Sequence, residues 1–220
     1  MNFLLSSYDF HEEWAQEIFR TIIHNGMKVV VIPFSFDNKD VKNVNDFDMH
    51  YGENGIHTPW IYRPFLFYGI SKDDIVFLDY YRDSVEFMQE RVNHADILFL
   101  TGGLPDQYLT RLKEKQLVDI IKNHHQIIIG ASAGAMIQLD IYHVTPDDDY
   151  PNYHYQSGLG LVSDVEIEVH YCHSPIQDYG IKRVIHERGL PTYTVANDGG
   201  IMIDDGKVVP FGNAYRLDEI

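Results

Sequence analysis

Ser132 stands in the stretch QIIIGASAGAMIQ (126–138), with Gly or Ala at every position from 130 to 135 except its own. Gly130, Ser132 and Gly134 form G-x-S-x-G between an apolar strand-like run and a helix-like one. Small neighbours in this pattern permit a sharp strand-to-helix turn that lifts a hydroxyl clear of a sheet, as a nucleophilic serine requires. The turn also aims the Ala133 N–H at whatever Ser132 attacks, which supplies one oxyanion donor. The bland alternative is a Gly/Ala-rich helix start with Ser132 as its N-cap. A second Gly-rich strand end, ILFLTGGLPDQYL (97–109), lies one helix earlier. Gly102 and Gly103 can bring backbone N–H groups close to a ligand, as a further oxyanion donor or a carboxylate cradle. As a plain turn, the same residues would lead into a helix opened by Pro105.

A serine needs a base, and histidine is the usual one. Twelve histidines are present. His170 ends the alternating run DVEIEVHY (164–171), downstream of the serine, where a strand end could project it toward Ser132. His173 is its near competitor, whereas His11, His24, His124, His125 and His186 fall on predicted helix faces or ends. VANDGGIMI then offers Asp198 and Asn197 to orient the ring, and of the two only Asp198 would stabilise an imidazolium by charge. The same four residues, Asn197 to Gly200, also suit a turn between two strands. His170, Cys172 and His173 could instead be read as metal ligands, but strand alternation points His173 away from the other two. The expectation is no metal and no cofactor.

Such groups need a scaffold. Short runs rich in Val, Ile, Leu and Phe recur at 2–7, 28–35, 74–80, 96–103 and 126–132. Helix-like stretches lie between them at 10–26, 83–94 and 106–125, and another is predicted around 177–188. Continuous apolar strands alternating with helices indicate a parallel sheet covered on both faces. Residues 37–60 read as a polar loop before a helix around 60–70. The stretch 142–158, rich in Tyr and Asp, reads as an ordered wall or lid, with Tyr153 and Tyr155 as substrate-contacting residues. TYTVAN and GGIMIDDGKVVPFG are expected to form a final pair of strands.

The chain of 220 residues suits one domain, 1–220. Against 33 acidic residues stand 17 Lys and Arg, for a net charge of -16. This charge repels nucleic acid and anionic membrane surfaces. A lone cysteine, Cys172, makes no intramolecular disulfide. The N-terminus lacks a basic region ahead of its apolar run, and no window reaches the roughly 18 to 20 apolar residues of a membrane span. These features predict a cytoplasmic monomer or homodimer.

Taken together, ILFLTGG, IIIGASAGAM, GLGLV followed by a strand ending in VHY, and VANDGGIMIDDGKVV resemble the serine peptidase family that contains dipeptidase E and cyanophycinase. The resemblance implies an α/β, flavodoxin-like three-layer sandwich with a mostly parallel central sheet, related to class I glutamine amidotransferase domains. It also implies a small-peptide substrate, Ser132 as nucleophile, His170 as base, and Gly103 and Ala133 as oxyanion donors. Two departures stand out. The glutamate that many members use as third residue falls on Gly199, which leaves Asp198, Asn197 or no residue for that role. The arginine with which aspartyl dipeptidases hold a substrate Asp has no counterpart before Arg183, so preference for Asp does not carry over. A Tyr- and Asp-rich wall would suit a cationic or aromatic peptide better.

Overall fold

The computed structural model describes residues 1–217. In chain order the elements are β1 (Asn2–Leu5), α1 (Glu13–Phe19), β2 (Val29–Ile32), α2 (Val44–Tyr51), α3 (Thr58–Phe67), β3 (Ile75–Phe77), α4 (Val85–Asn93), β4 (Ile97–Leu100), α5 (Pro105–Glu114), α6 (Val118–Lys122), β5 (Ile127–Ala131), α7 (Ala133–Met136), β6 (Ile141–Val144), β7 (His154–Ser157), β8 (Glu166–Val169), α8 (Pro175–Arg188), β9 (Thr192–Asp204) and β10 (Lys207–Leu217).

Five strands run parallel in the order β1-β5-β4-β2-β3. Their residues are apolar without alternation because both faces are covered, and every residue of Val29–Ile32 and Ile97–Leu100 is buried. Phe3, Leu5, Val31, Phe99 and Ile129 meet Phe19 of α1, Phe47 of α2, and Ile61 and Phe65 of α3 on one face. Val30, Ile32, Leu98, Leu100 and Ile128 meet Met88 of α4, Tyr108 and Leu112 of α5, and Ile121 of α6 on the other. The result is a flavodoxin-like sandwich of helices, mostly parallel sheet and helices. Beyond β1 the sheet turns antiparallel through β9 and β10. The first part of β9 pairs in parallel with β8 and its last part pairs antiparallel with β1, so β9 brings the ends of both together.

Four sequence expectations change. Residues 37–60 are not all loop: Asn43 caps α2 by accepting from the N–H groups of Asn45 and Asp46, and Phe47 and Tyr51 supply its buried stripe. The expected helix over 106–125 divides into α5 and α6, with Gln116 between them at a φ of 54°. The first helix covers only 13–19 before loosening into turns, because a strict four-residue repeat drifts around a helix of 3.6 residues per turn. Finally, Asn197-Asp198-Gly199-Gly200 is the interior of β9, and the chain reverses instead at Asp205-Gly206. Gly199 and Gly200 are there for close approach: a Cβ would come within 2.5 Å of Asn213 O at the first and of a Leu5 methyl at the second.

Candidate active site

Ser132 sits at the carboxyl end of β5, at the turn into α7, with φ 53° and ψ -117°. That conformation is strained for a residue with a side chain, and it persists because its neighbours over-determine it. The Ser132 N–H donates to Leu5 O at 2.8 Å, and its own carbonyl accepts from Ala135 and Met136. A Cβ on Gly130 would lie 2.0 Å from Gly134 O, and one on Gly134 would lie 2.0 Å from Leu100 O. Both glycines of the motif are therefore demanded by backbone approach, which packs α7 onto β4 and β5 and leaves the serine side chain outward.

His170 follows β8 directly and has a φ of 53°. Its Nε2 is 2.9 Å from Ser132 Oγ, and its Nδ1 is 2.6 Å from Asn197 Oδ1. An amide oxygen only accepts, so Nδ1 carries the proton and Nε2 is free to accept from the serine. The orienting contact thus comes from Asn197 and not from Asp198, because β9 is a strand there and successive side chains leave on opposite faces. Asp198 is exposed. The alternative metal ligands are engaged elsewhere. Cys172 Sγ contacts Gln177 Oε1, and the His173 ring lies against Tyr171. Among the described residues no three His, Cys, Asp or Glu side chains gather as a metal would require.

Three consecutive residues after β1, which no motif in the sequence marks, brace the site. Ser6 Oγ accepts from the His170 N–H at 2.9 Å and donates to Val195 O at 2.7 Å. Ser7 Oγ donates to Asn197 O at 2.8 Å. Tyr8 Oη accepts from the Gly102 N–H at 2.8 Å, and burial pushes this phenol up to about 12, so it stays neutral. The available signal was positional: hydroxyls at the carboxyl end of the strand flanked by β5 and β9 face the crevice where such sheets place their ligands. Gln177 of α8 completes the hold on the base by donating to His170 O at 3.1 Å.

The Gly102-Gly103 loop lies directly over the serine. A Cβ on Gly102 would be 3.2 Å from Ser132 Cβ, and one on Gly103 only 2.3 Å from Ser35 O. The Gly102 N–H is committed to Tyr8, whereas neither the Gly103 nor the Ala133 N–H has an acceptor among the described residues.

The sequence model of peptidase family S51 matches residues 68–211, which is more than half of the chain and includes Gly102, Gly103, Ser132, His170 and Asn197. The chain belongs to peptidase family S51. It is accordingly a serine peptidase of the dipeptidase E type, a hydrolase. Among solved structures, a candidate peptidase E from Listeria monocytogenes EGD-e is similar over 98% of both chains at 21% identity and a TM-score of 0.67. A peptidase from an acI-B1 Actinobacterium is similar over 100% of this chain and 91% of its own at 16% identity, also with a TM-score of 0.67. At these identities the two confirm the shared fold. No curated protein matches the sequence.

In this S51 peptidase, two hollows meet at Ser132 and His170. One, of about 310 Å³, reaches under the 145–150 loop and is lined by Gly103, Glu168 and Tyr150 among others. The second, of about 460 Å³, is more open and is lined by Tyr8, Trp60, Gly102 and Asn197. The expected wall is therefore present, but it is Tyr150 that faces the hollow. Tyr150 Oη donates to Asp106 Oδ1 at 2.5 Å, which ties the loop to α5 beside Gly103, and burial drives its pKa far above the usual phenol range. Tyr153 and Tyr155 lie off the cavity on β7 and just before it. They bond to each other and, through Tyr155, to Glu187, with Tyr153 stacked on His143. No helix among the described residues is long and apolar enough to cross a membrane.

Proposed function

We propose that the protein hydrolyses small peptides through an acyl-enzyme on Ser132. Ser132 Oγ attacks the scissile carbonyl carbon while His170 Nε2 takes its proton. The Gly103 and Ala133 N–H groups receive the oxyanion. His170 then returns the proton to the departing amine, the C–N bond breaks, and an ester remains on Ser132. Water, deprotonated by the same ring, attacks that ester and restores the serine. Asn197 keeps the ring in the tautomer that can act as base, with no charge to contribute to the imidazolium.

The observation that carries this reading is the 2.9 Å contact between His170 Nε2 and the strained Ser132 hydroxyl. A hydroxyl used only to cap α7 would accept from the helix's first N–H groups, and Ser132 makes no such bond. The test is covalent labelling with a serine-directed phosphonate together with turnover of a dipeptide panel. Ser132→Ala should lose the label and about three or more orders of magnitude in kcat/KM. Unlabelled wild-type protein, or a Ser132→Ala variant with undiminished turnover, refutes the assignment.

A further inference from the structure

The hollow of about 310 Å³ beside Ser132 has three carboxylates in its lining, Asp147, Asp149 and Glu168, and neither Lys nor Arg. Asp147 and Asp149 are exposed and stand at its solvent edge. Glu168 is different, since its side chain is only 8% exposed. Its Oε2 accepts from His143 Nε2 and from Thr145 Oγ1, both at 2.8 Å. Its Oε1 has no partner among the described residues.

Burying a carboxylate is costly unless its lone pairs meet donors. Glu166, two residues earlier on the same face of β8, shows how this chain meets that cost. Its Oε2 meets His143 Nδ1 at 2.9 Å, and its Oε1 receives Arg188. Arg188 is thereby committed to Glu166 and to Ile141 O, and a single imidazole bridges both acids. Glu168 is left with one open acceptor on the cavity side. The surrounding wall includes Met136, Val144, Pro146 and Ile176, an apolar lining of the kind that packs the methylene stem of a long cationic side chain. An acidic side chain would meet three carboxylates in the same place.

We propose that this hollow binds the ammonium or guanidinium side chain of a peptide residue flanking the scissile bond, with Glu168 Oε1 as its acceptor inside the cavity and Asp147 and Asp149 attracting it at the edge. The proposal rests on Ser132 being the nucleophile and names the side-chain class that its site selects.

The probes are the dipeptides Lys-Ala and Ala-Lys, their norleucine counterparts Nle-Ala and Ala-Nle, and Asp-Ala. Norleucine keeps the apolar stem and lacks the charge. In one of the two positions Lys should exceed norleucine by about tenfold or more in kcat/KM, as expected of a hydrogen bond between charged groups, and Glu168→Gln should bring that ratio close to one. Equal use of Lys and norleucine in both positions, preference for Asp-Ala, or a ratio unmoved by Glu168→Gln overturns the proposal. A second arm needs neither turnover nor the Glu168 variant: calorimetric binding of the same dipeptides to Ser132→Ala protein, in which Lys should bind at least several-fold more tightly than norleucine. Equal binding overturns the proposal even if every dipeptide is cleaved. If no dipeptide is cleaved and Ser132 takes no phosphonate while Lys still binds selectively, it is the peptidase reading that fails.

Discussion

At the scale of single residues, the choice between Asn197 and Asp198 is the one that chemistry alone pointed the wrong way. A carboxylate is the better partner for an imidazolium, and four residues reading Asn-Asp-Gly-Gly suggest a turn in which either could face the ring. Strand pairing decides otherwise, because Asn197 Oδ1 is the atom 2.6 Å from His170 Nδ1. Asn197→Ala should therefore lower kcat by about ten- to a thousandfold with KM little changed, whereas Asp198→Ala should stay within a few-fold of wild type. Asn197→Asp places a negative charge beside the ring, which favours its protonated form, so the acid limb of kcat/KM should move to higher pH. Steady-state kinetics across pH on the three variants checks both statements. Ser132 gives the complementary case, a residue whose backbone strain was already suggested by its small neighbours. Ser132→Gly relieves a φ of 53° and should add about 1 kcal/mol of stability, read as a higher melting temperature, while abolishing turnover.

At the scale of elements, β5, β4 and the strand leading to His170 were legible because their apolar runs and the G-x-S-x-G pattern are local signals. What periodicity could not convey is which strands are neighbours. The order that puts β1 between β5 and β9 makes Ser6, Ser7 and Tyr8 braces for three separate parts of the site, although each lies more than 90 residues away from its partner in sequence. The same applies to Glu166 and Glu168: alternation in EIEVH places them on the face of His170, but only folding brings His143 between them. If the braces position rather than react, Tyr8→Phe should reduce kcat by about tenfold with little change in KM, since it frees the Gly102 N–H and loosens the oxyanion loop without touching the serine. Ser6→Ala should do the same and also cost about 1–3 kcal/mol, because it leaves the His170 N–H without an acceptor and the Val195 carbonyl with the Tyr171 N–H alone. Denaturant melts run beside the kinetics separate the two effects. Unchanged kcat in Tyr8→Phe would show that Ser35, which accepts from Leu104 and donates to Gly102 O, holds the loop unaided.

At the scale of the whole molecule, the net charge of -16 acts on every substrate before any side chain of the site does. The field reaches about 30 Å at 0.01 M salt and about 10 Å at 0.1 M, so its influence on a charged peptide fades across that range, while a contact inside a shielded cavity fades much less. The two levels can be pulled apart on one plot. For Lys-Ala, kcat/KM should fall several-fold between these ionic strengths, whereas Nle-Ala, with no net charge, should change little. Glu168→Gln removes one charge out of an excess of sixteen and leaves the field nearly intact. It should therefore lower the Lys-Ala line while keeping its slope against ionic strength. A line that instead loses its slope in this variant would mean that the salt dependence arises at Glu168 itself, with a cavity open enough for ions to screen.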